Sequence, residues 1–151
     1  MDFSQITDYL FIGTTPRTET YSILRGLGVT LVINMRLERP PLPDRYDPPI
    51  PVLWLPTIDS PLVPIPIRLL ARGVRAACET LRQGGKVYVH CAAGRHRGVA
   101  MGSAILIARG FPPVIAMQLV KQRRPHADPD IWYIRRRILR FAEVWNSQGC
   151  A

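Results

Sequence analysis

The sequence predicts an α/β fold: a single domain over residues 1–151, with a central, mainly parallel sheet of four to five strands flanked by helices. Three observations predict it. Short β-rich runs alternate with amphipathic helical patterns along the whole chain. Residues 29–35, Val-Thr-Leu-Val-Ile-Asn-Met, form a nearly continuous β-branched and apolar run, as a strand covered on both faces requires. The length of 151 residues, with no internal repeat, suits one domain large enough to bury a core.

The elements follow in order. Residues 6–13 read as a short strand ending in a turn at Gly13. Residues 18–27 fit a helix with Leu24 and Leu27 on one face and Gly28 as its stop. After the strand at 29–35 the composition shifts: ten of the 15 prolines fall between Pro40 and Pro66. Proline fixes φ and removes a backbone donor, so residues 39–51 are expected to form an irregular surface connector. The stretch Arg39-Pro40-Pro41-Leu42-Pro43 also has the composition of a polyproline ligand, although a stiff loop accounts for it. Residues 52–55 are a further strand, opening into a loop that carries Asp59. Residues 65–83 make a helix with Leu69, Leu70, Val74, Ala77 and Leu81 inward, closed by Gly84-Gly85. Residues 87–90 are a strand, and residues 99–109 an apolar helix expected at the centre of the core. Residues 113–122 form a helix opening on a proline, a favourable first-turn residue. Residues 130–145 form the last helix, with Ile131, Ile134, Ile138, Phe141, Ala142 and Trp145 on one stripe.

The net charge of +9 favours anionic partners: nucleic acid, anionic lipid head groups or phosphorylated molecules. No groove-reading helix motif or stacking-aromatic pattern accompanies it, so no specific nucleic-acid partner is predicted. Arg135, Arg136, Arg137 and Arg140 lie off the apolar stripe of the last helix and read as a solvated basic face. The longest apolar run, residues 99–108, is too short to span a bilayer, and the first residues lack a signal-peptide pattern. Cys78, Cys91 and Cys150 show no CxxC spacing and read as reduced thiols, with Cys78 packed on a helix face. These features predict a soluble, cytoplasmic protein. No metal-ligand cluster and no cofactor motif is visible.

The most informative segment is His90-Cys91-Ala92-Ala93-Gly94-Arg95-His96-Arg97. An apolar strand runs into it and a helical pattern runs out at about Gly98. A thiol attacks as the thiolate, and helix N-termini and cationic neighbours favour that form. The backbone N–H groups from Ala92 to Gly98 (Ala92, Ala93, Gly94, Arg95, His96 and Gly98 itself) are placed to form an anion nest at the mouth of the helix. Gly94 permits the sharp turn. Arg97 supplies a planar fork matching two phosphate oxygens. The arrangement suits attack of Cys91 on phosphorus with a phosphocysteine intermediate. His90 either orders the loop or is an ordinary buried histidine.

The run resembles His-Cys-x-x-Gly-x-x-Arg, the signature of the cysteine-based protein tyrosine phosphatases. Chain length and element order resemble the compact dual-specificity branch. Residues 6–13, the Val32-Ile33-Asn34 strand and Arg124-Pro125 before the last helix are similar to that branch. The resemblance implies a metal-independent phosphomonoesterase acting on phosphorylated proteins, with Cys91 as nucleophile and Arg97 as phosphate ligand. It also implies a general acid on a loop about thirty residues before the cysteine. Asp59, 32 positions upstream in Pro56-Thr57-Ile58-Asp59-Ser60-Pro61, fits; a turn or capping aspartate is the plainer alternative. Asp44 and Asp47 are weaker candidates in the proline-rich connector, and Asp128 and Asp130 fit the start of the last helix.

One departure stands out. The family usually carries Ser or Thr directly after the arginine, where its hydroxyl eases departure of the sulfur. Here the position is Gly98, which predicts slower breakdown of the intermediate. Arg95 and His96 resemble the Gly-Lys-His-Arg loop of plant and fungal phosphatases acting on inositol pyrophosphates, so a phosphoinositide or inositol-polyphosphate substrate is the alternative on the same site. A rhodanese-type sulfurtransferase and a phosphate-binding pseudophosphatase are the remaining alternatives.

Overall fold

A computed structural model describes residues 1–145. Five strands form one sheet in the order β1-β2-β5-β3-β4. They are β1 (Phe3–Gln5), β2 (Leu10–Gly13), β3 (Val29–Arg36), β4 (Val52–Thr57) and β5 (Lys86–His90). β1 pairs antiparallel with β2; the other three pairings are parallel. The helices are α1 (Tyr21–Gly26), α2 (Ile67–Arg82), α3 (Arg97–Ala108), α4 (Pro113–Arg123) and α5 (Trp132–Trp145). A short 3-10 turn, Thr18–Thr20, leads into α1.

Strand side chains alternate between the faces, and each face has its own core. Leu10, Ile12, Leu31, Ile33, Val87 and Val89 join the larger cluster under α2 to α5. Phe11, Val32 and Tyr88 point the other way, into a smaller cluster with Tyr21 and Leu24 of α1 and Ile50 of the proline-rich connector. All twelve residues of α3 are buried, as expected for a helix apolar on every side.

Several boundaries differ from the sequence reading; among them, the helix expected at 99–109 already begins at Arg97, and that expected at 18–27 is a 3-10 turn followed by α1. Residues 6–13 are not one strand. The chain turns at Ile6 and Thr7, whose N–H groups both donate to Leu10 O, and residues 3–5 fold back as β1. The Thr7-Asp8 pair is a turn former that the apolar run concealed. β4 continues through Pro56 to Thr57, which an edge strand tolerates because the missing donor faces outward. α2 starts at Ile67, after Pro66, rather than at residue 65. α5 starts at Trp132, where Asp128 Oδ1 accepts the Ile131 N–H and turns the chain into the helix.

Residues 39–51 carry no helix or strand, as expected, but they are pinned rather than loose. The Asp44 carboxylate is buried and accepts from Arg25 Nη2 and from the N–H groups of Tyr46 and Ile50, while Tyr21 Oη donates to Leu42 O. Asp44 is thus a structural anchor on the side of the connector. Cys78 on α2 is disulfide-bonded, which overturns the reading of it as a reduced, packed thiol. Sequence spacing did not reveal the bond, because disulfides are set by proximity in space. Cys150 lies outside the described residues. No helix among the described residues is long and apolar enough to cross a membrane.

Candidate active site

The C-terminal ends of β3, β4 and β5 open at one edge of the sheet, where loops of parallel α/β folds gather ligand-binding groups. The β3 loop brings Leu37 and Glu38, and the β4 loop brings Ile58 and Asp59. The β5 loop brings residues 91–96 and runs directly into α3 at Arg97. A cavity of about 320 Å³ lies among Leu37, Glu38, Ile58, Asp59 and Arg97.

The loop after β5 has its carbonyls tied outward. Arg124 Nη2 donates to Ala93 O and Arg124 Nε to Gly94 O. Asp128 N donates to Arg95 O, and Thr15 Oγ1 donates to Cys91 O at 3.4 Å. By contrast, the N–H groups of Ala92 to His96 donate to no acceptor among the described residues. With carbonyls held outside, those amides form a donor ring over the N-terminus of α3, the arrangement that receives an anion. Gly94 makes the turn at φ 62°, and a Cβ there would meet Arg124 Nη2 at 2.7 Å and Gly13 O at 2.8 Å. Only glycine fits.

Arg124 is the largest group in this arrangement that the sequence did not reveal. It is 0 % exposed and also bonds both carboxylate oxygens of Asp2 and Ser4 Oγ. A buried guanidinium is tolerable because carboxylate, hydroxyl and carbonyl oxygens satisfy it. The sequence offered only its place in Arg124-Pro125.

Cys91 is a buried free thiol at the head of the ring. Arg97, 4 % exposed, has its guanidinium oriented by Glu38 and by the carbonyls of Thr57 and Met35. Nη1 and Nη2 grip Glu38 Oε1 and Oε2 at 2.8 and 2.9 Å, and Nη1 also donates to Thr57 O at 2.8 Å. Arg97 Nε is buried without a partner. The Nε–Nη2 edge is therefore the one left for a two-point bond to phosphate. Glu38 also accepts from Arg36 Nε. The hydrogen bond from Arg97 holds the Glu38 carboxyl down at about 2. Sequence reading passed over Glu38, although its position just past a parallel strand was a usable signal.

Asp59 faces this group, but its carboxylate is engaged. Tyr133 Oη donates to Oδ1 at 2.7 Å, and His96 Nδ1 lies 2.9 Å from Oδ2. Because a carboxylate only accepts, His96 must carry the proton on Nδ1. Partial burial raises the Asp59 pKa, but the bonds from Tyr133 and His96, with the charges of His96 and Arg97, outweigh it and leave the group below the ordinary range. Tyr133 was read only as part of the last helix. His96 was read as a substrate contact, and its side chain meets Asp59 through Nδ1. Arg95 lies 3.9 Å from Asp128. His90 is buried, and burial lowers its pKa to about 4, so the ring is neutral. A Cβ at Gly98 would stand 3.5 Å from both Cys91 N and Cys91 Sγ. No group of three or more His, Cys, Asp or Glu arranged for a metal occurs among the described residues.

A buried free thiol, a donor ring, an oriented arginine and a carboxylate on the facing loop are the groups that transfer of a phosphoryl group to sulfur requires. Comparison with known proteins agrees. No family model matches the chain. Mouse dual specificity phosphatase 28 is 31% identical over 133 residues, which cover 87% of this chain and 78% of that protein. Mouse dual specificity protein phosphatase 14 is 31% identical over 137 residues, covering 89% of this chain and 67% of that protein. The crystal structure of human dual specificity phosphatase 28 superposes with a TM-score of 0.84 at 26% identity, covering 95% of each chain. The chain belongs to the compact dual-specificity branch of the cysteine-based protein tyrosine phosphatases.

Proposed function

We propose that the protein hydrolyses phosphate monoesters on proteins, phosphotyrosine foremost, through a phosphocysteine at Cys91. The observation that carries the choice of substrate is the wall of the cavity. Leu37 and Ile58 flank it with apolar, half-exposed side chains, and its charged neighbours are the carboxylates Glu38 and Asp59 beside Arg97. That wall suits an aromatic ring carrying one phosphate. It suits a polyphosphorylated inositol poorly, because Arg95 and His96, the residues that favoured that alternative, face Asp128 and Asp59. In this reading the amides of Ala92, Ala93, Gly94, Arg95, His96 and Gly98 and the free edge of Arg97 hold the equatorial oxygens. Asp59 gives the leaving oxygen its proton. His90 and Arg124 hold the loop in shape. No metal takes part in this reading, and the Cys91 thiol must stay reduced to act.

The test is phosphate release, with EDTA present, from a panel of phosphotyrosine, phosphoserine and phosphothreonine peptides, phosphoinositides and inositol polyphosphates. We expect phosphotyrosine peptides to lead and Cys91→Ser to abolish all release. An inositol or lipid substrate leading by more than about tenfold, a difference of about 1.4 kcal/mol in transition-state binding, overturns the substrate assignment. Release that survives Cys91→Ser overturns the mechanism.

A further inference from the structure

Beyond that reading, and resting on it, we propose that His96 and Tyr133 are positioning residues that present Asp59 as the general base for the second half of the reaction, hydrolysis of the phosphocysteine. The contacts come from separate parts of the fold. His96 belongs to the phosphate loop, Tyr133 to the first turn of α5 and Asp59 to the loop after β4. They converge so that each carboxylate oxygen accepts one fixed donor, Tyr133 Oη at 2.7 Å and His96 Nδ1 at 2.9 Å. The two donors also brace one another. Their rings meet edge to face at 5.9 Å, and Trp132 packs edge-on against Tyr133. A carboxylate accepting one bond at each oxygen keeps lone pairs for a water, whereas its role as acid demands an O–H that these donors oppose.

The need for such a base lies at residue 98. In the first step Cys91 sulfur bonds to phosphorus, the ester P–O bond breaks and Asp59 gives its proton to the leaving oxygen. In the second step water bonds to phosphorus, the S–P bond breaks and sulfur leaves as thiolate. Asp59 takes the proton of the water and is ready again as acid. Gly98 provides no hydroxyl to ease the departing sulfur, so assistance must come from the water side. The other carboxylate of the cavity, Glu38, has both oxygens committed to the guanidinium groups of Arg97 and Arg36. The groups facing Asp59 are thus His96, Tyr133, Arg97 and Glu38. Those facing the His96–Tyr133 pair from the far side are Asp128, 4.0 Å from His96 Nε2, and Arg95.

The experiment is stopped-flow turnover of p-nitrophenyl phosphate, whose leaving group scarcely needs an acid, so that the second step is read separately. We compare wild type, Tyr133→Phe, His96→Ala and His96→Asn, with Cys91→Ser as control. Wild type should give a burst of one nitrophenol per site followed by slow turnover. Tyr133→Phe and His96→Ala should keep the burst but lower kcat roughly tenfold, the size of a lost hydrogen bond to a charged group. Because the lost donors favoured the carboxylate, the basic limb of kcat/KM on a phosphoserine peptide, whose leaving oxygen needs the Asp59 proton, should move to higher pH in both. His96→Asn, whose amide N–H replaces Nδ1–H, should recover most of the turnover. An unchanged kcat, or kcat and kcat/KM falling together with the pH limb unmoved, overturns the proposal. Absence of any Cys91-dependent nitrophenol release in wild type would instead refute the phosphatase reading beneath it, and the two failures are distinct.

Discussion

Gly98→Ser is the most informative single change. Gly98 is the second residue of α3, and an added Cβ finds ordinary contact distances, 3.5 Å to Cys91 N, 3.5 Å to Cys91 Sγ and 3.6 Å to His90 C. Nothing must move to admit it. Serine also replaces the least favourable ordinary helix residue, for a gain of up to about 0.5 kcal/mol in stability. From that Cβ the hydroxyl is one bond from the sulfur's surroundings and can donate to Sγ. A hydrogen bond to a developing thiolate is worth about 1.5 kcal/mol or more, close to tenfold in the rate of a step in which sulfur departs. The assay is pre-steady-state release of p-nitrophenol. If intermediate breakdown limits wild-type turnover, the variant should raise kcat about tenfold and shrink the burst, with kcat/KM little changed. A folded variant whose kcat and burst both equal those of the wild type would refute the reasoning, because it would mean that sulfur departure is not the step Gly98 slows.

Three further outcomes are expected. Asp59→Asn should cost roughly 10²–10⁴ in kcat/KM on a phosphoserine peptide, the range for a lost general acid, and far less on p-nitrophenyl phosphate; equal losses on both would show that Asp59 is not the proton donor. Glu38→Gln removes the charge that grips both Nη atoms of Arg97, and it should lower kcat/KM roughly tenfold while thermal unfolding barely changes, since Glu38 is half exposed. For His90 the folded pKa of about 4 lies below the ordinary value of 6.5, so the unfolded chain takes up a proton first as the pH falls. Stability should therefore be full above pH 6.5 and decline toward pH 4, by an amount on the order of 3 kcal/mol, and chemical denaturation of His90→Asn across that range should show a flatter profile.

The sheet, its helices and the phosphate loop were legible because each rests on local pattern. The β-branched run of β3, the apolar α3 and the spacing from Cys91 to Arg97 need no distant partner to be recognised. Asp59 was singled out only through the resemblance, which implies an acid about thirty residues before the cysteine, and the fold sets it on the cavity beside Arg97. What escaped depends on groups brought together only by the fold. Glu38 looks like any surface acid until β3 delivers it to Arg97. Arg124 looks like one basic residue among many until α4 ends with it beneath the loop, against Asp2. His96 looked like a hand held out to substrate, and only the closeness of the β4 loop turns its Nδ1 to Asp59. The extra strand β1 was hidden because Ile6, though buried, belongs to a turn and not to a strand.

The central claim is that phosphate passes through the sulfur of Cys91. It is tested most directly by mixing the wild-type protein with p-nitrophenyl phosphate, quenching in acid during the burst, and mapping the modified peptide by mass spectrometry. The account predicts one phosphoryl group on the peptide containing Cys91, absent in Cys91→Ser and more abundant in Tyr133→Phe. Nitrophenol released with no phosphoryl group trapped on that peptide, or a phosphoryl group found on another residue, would contradict it.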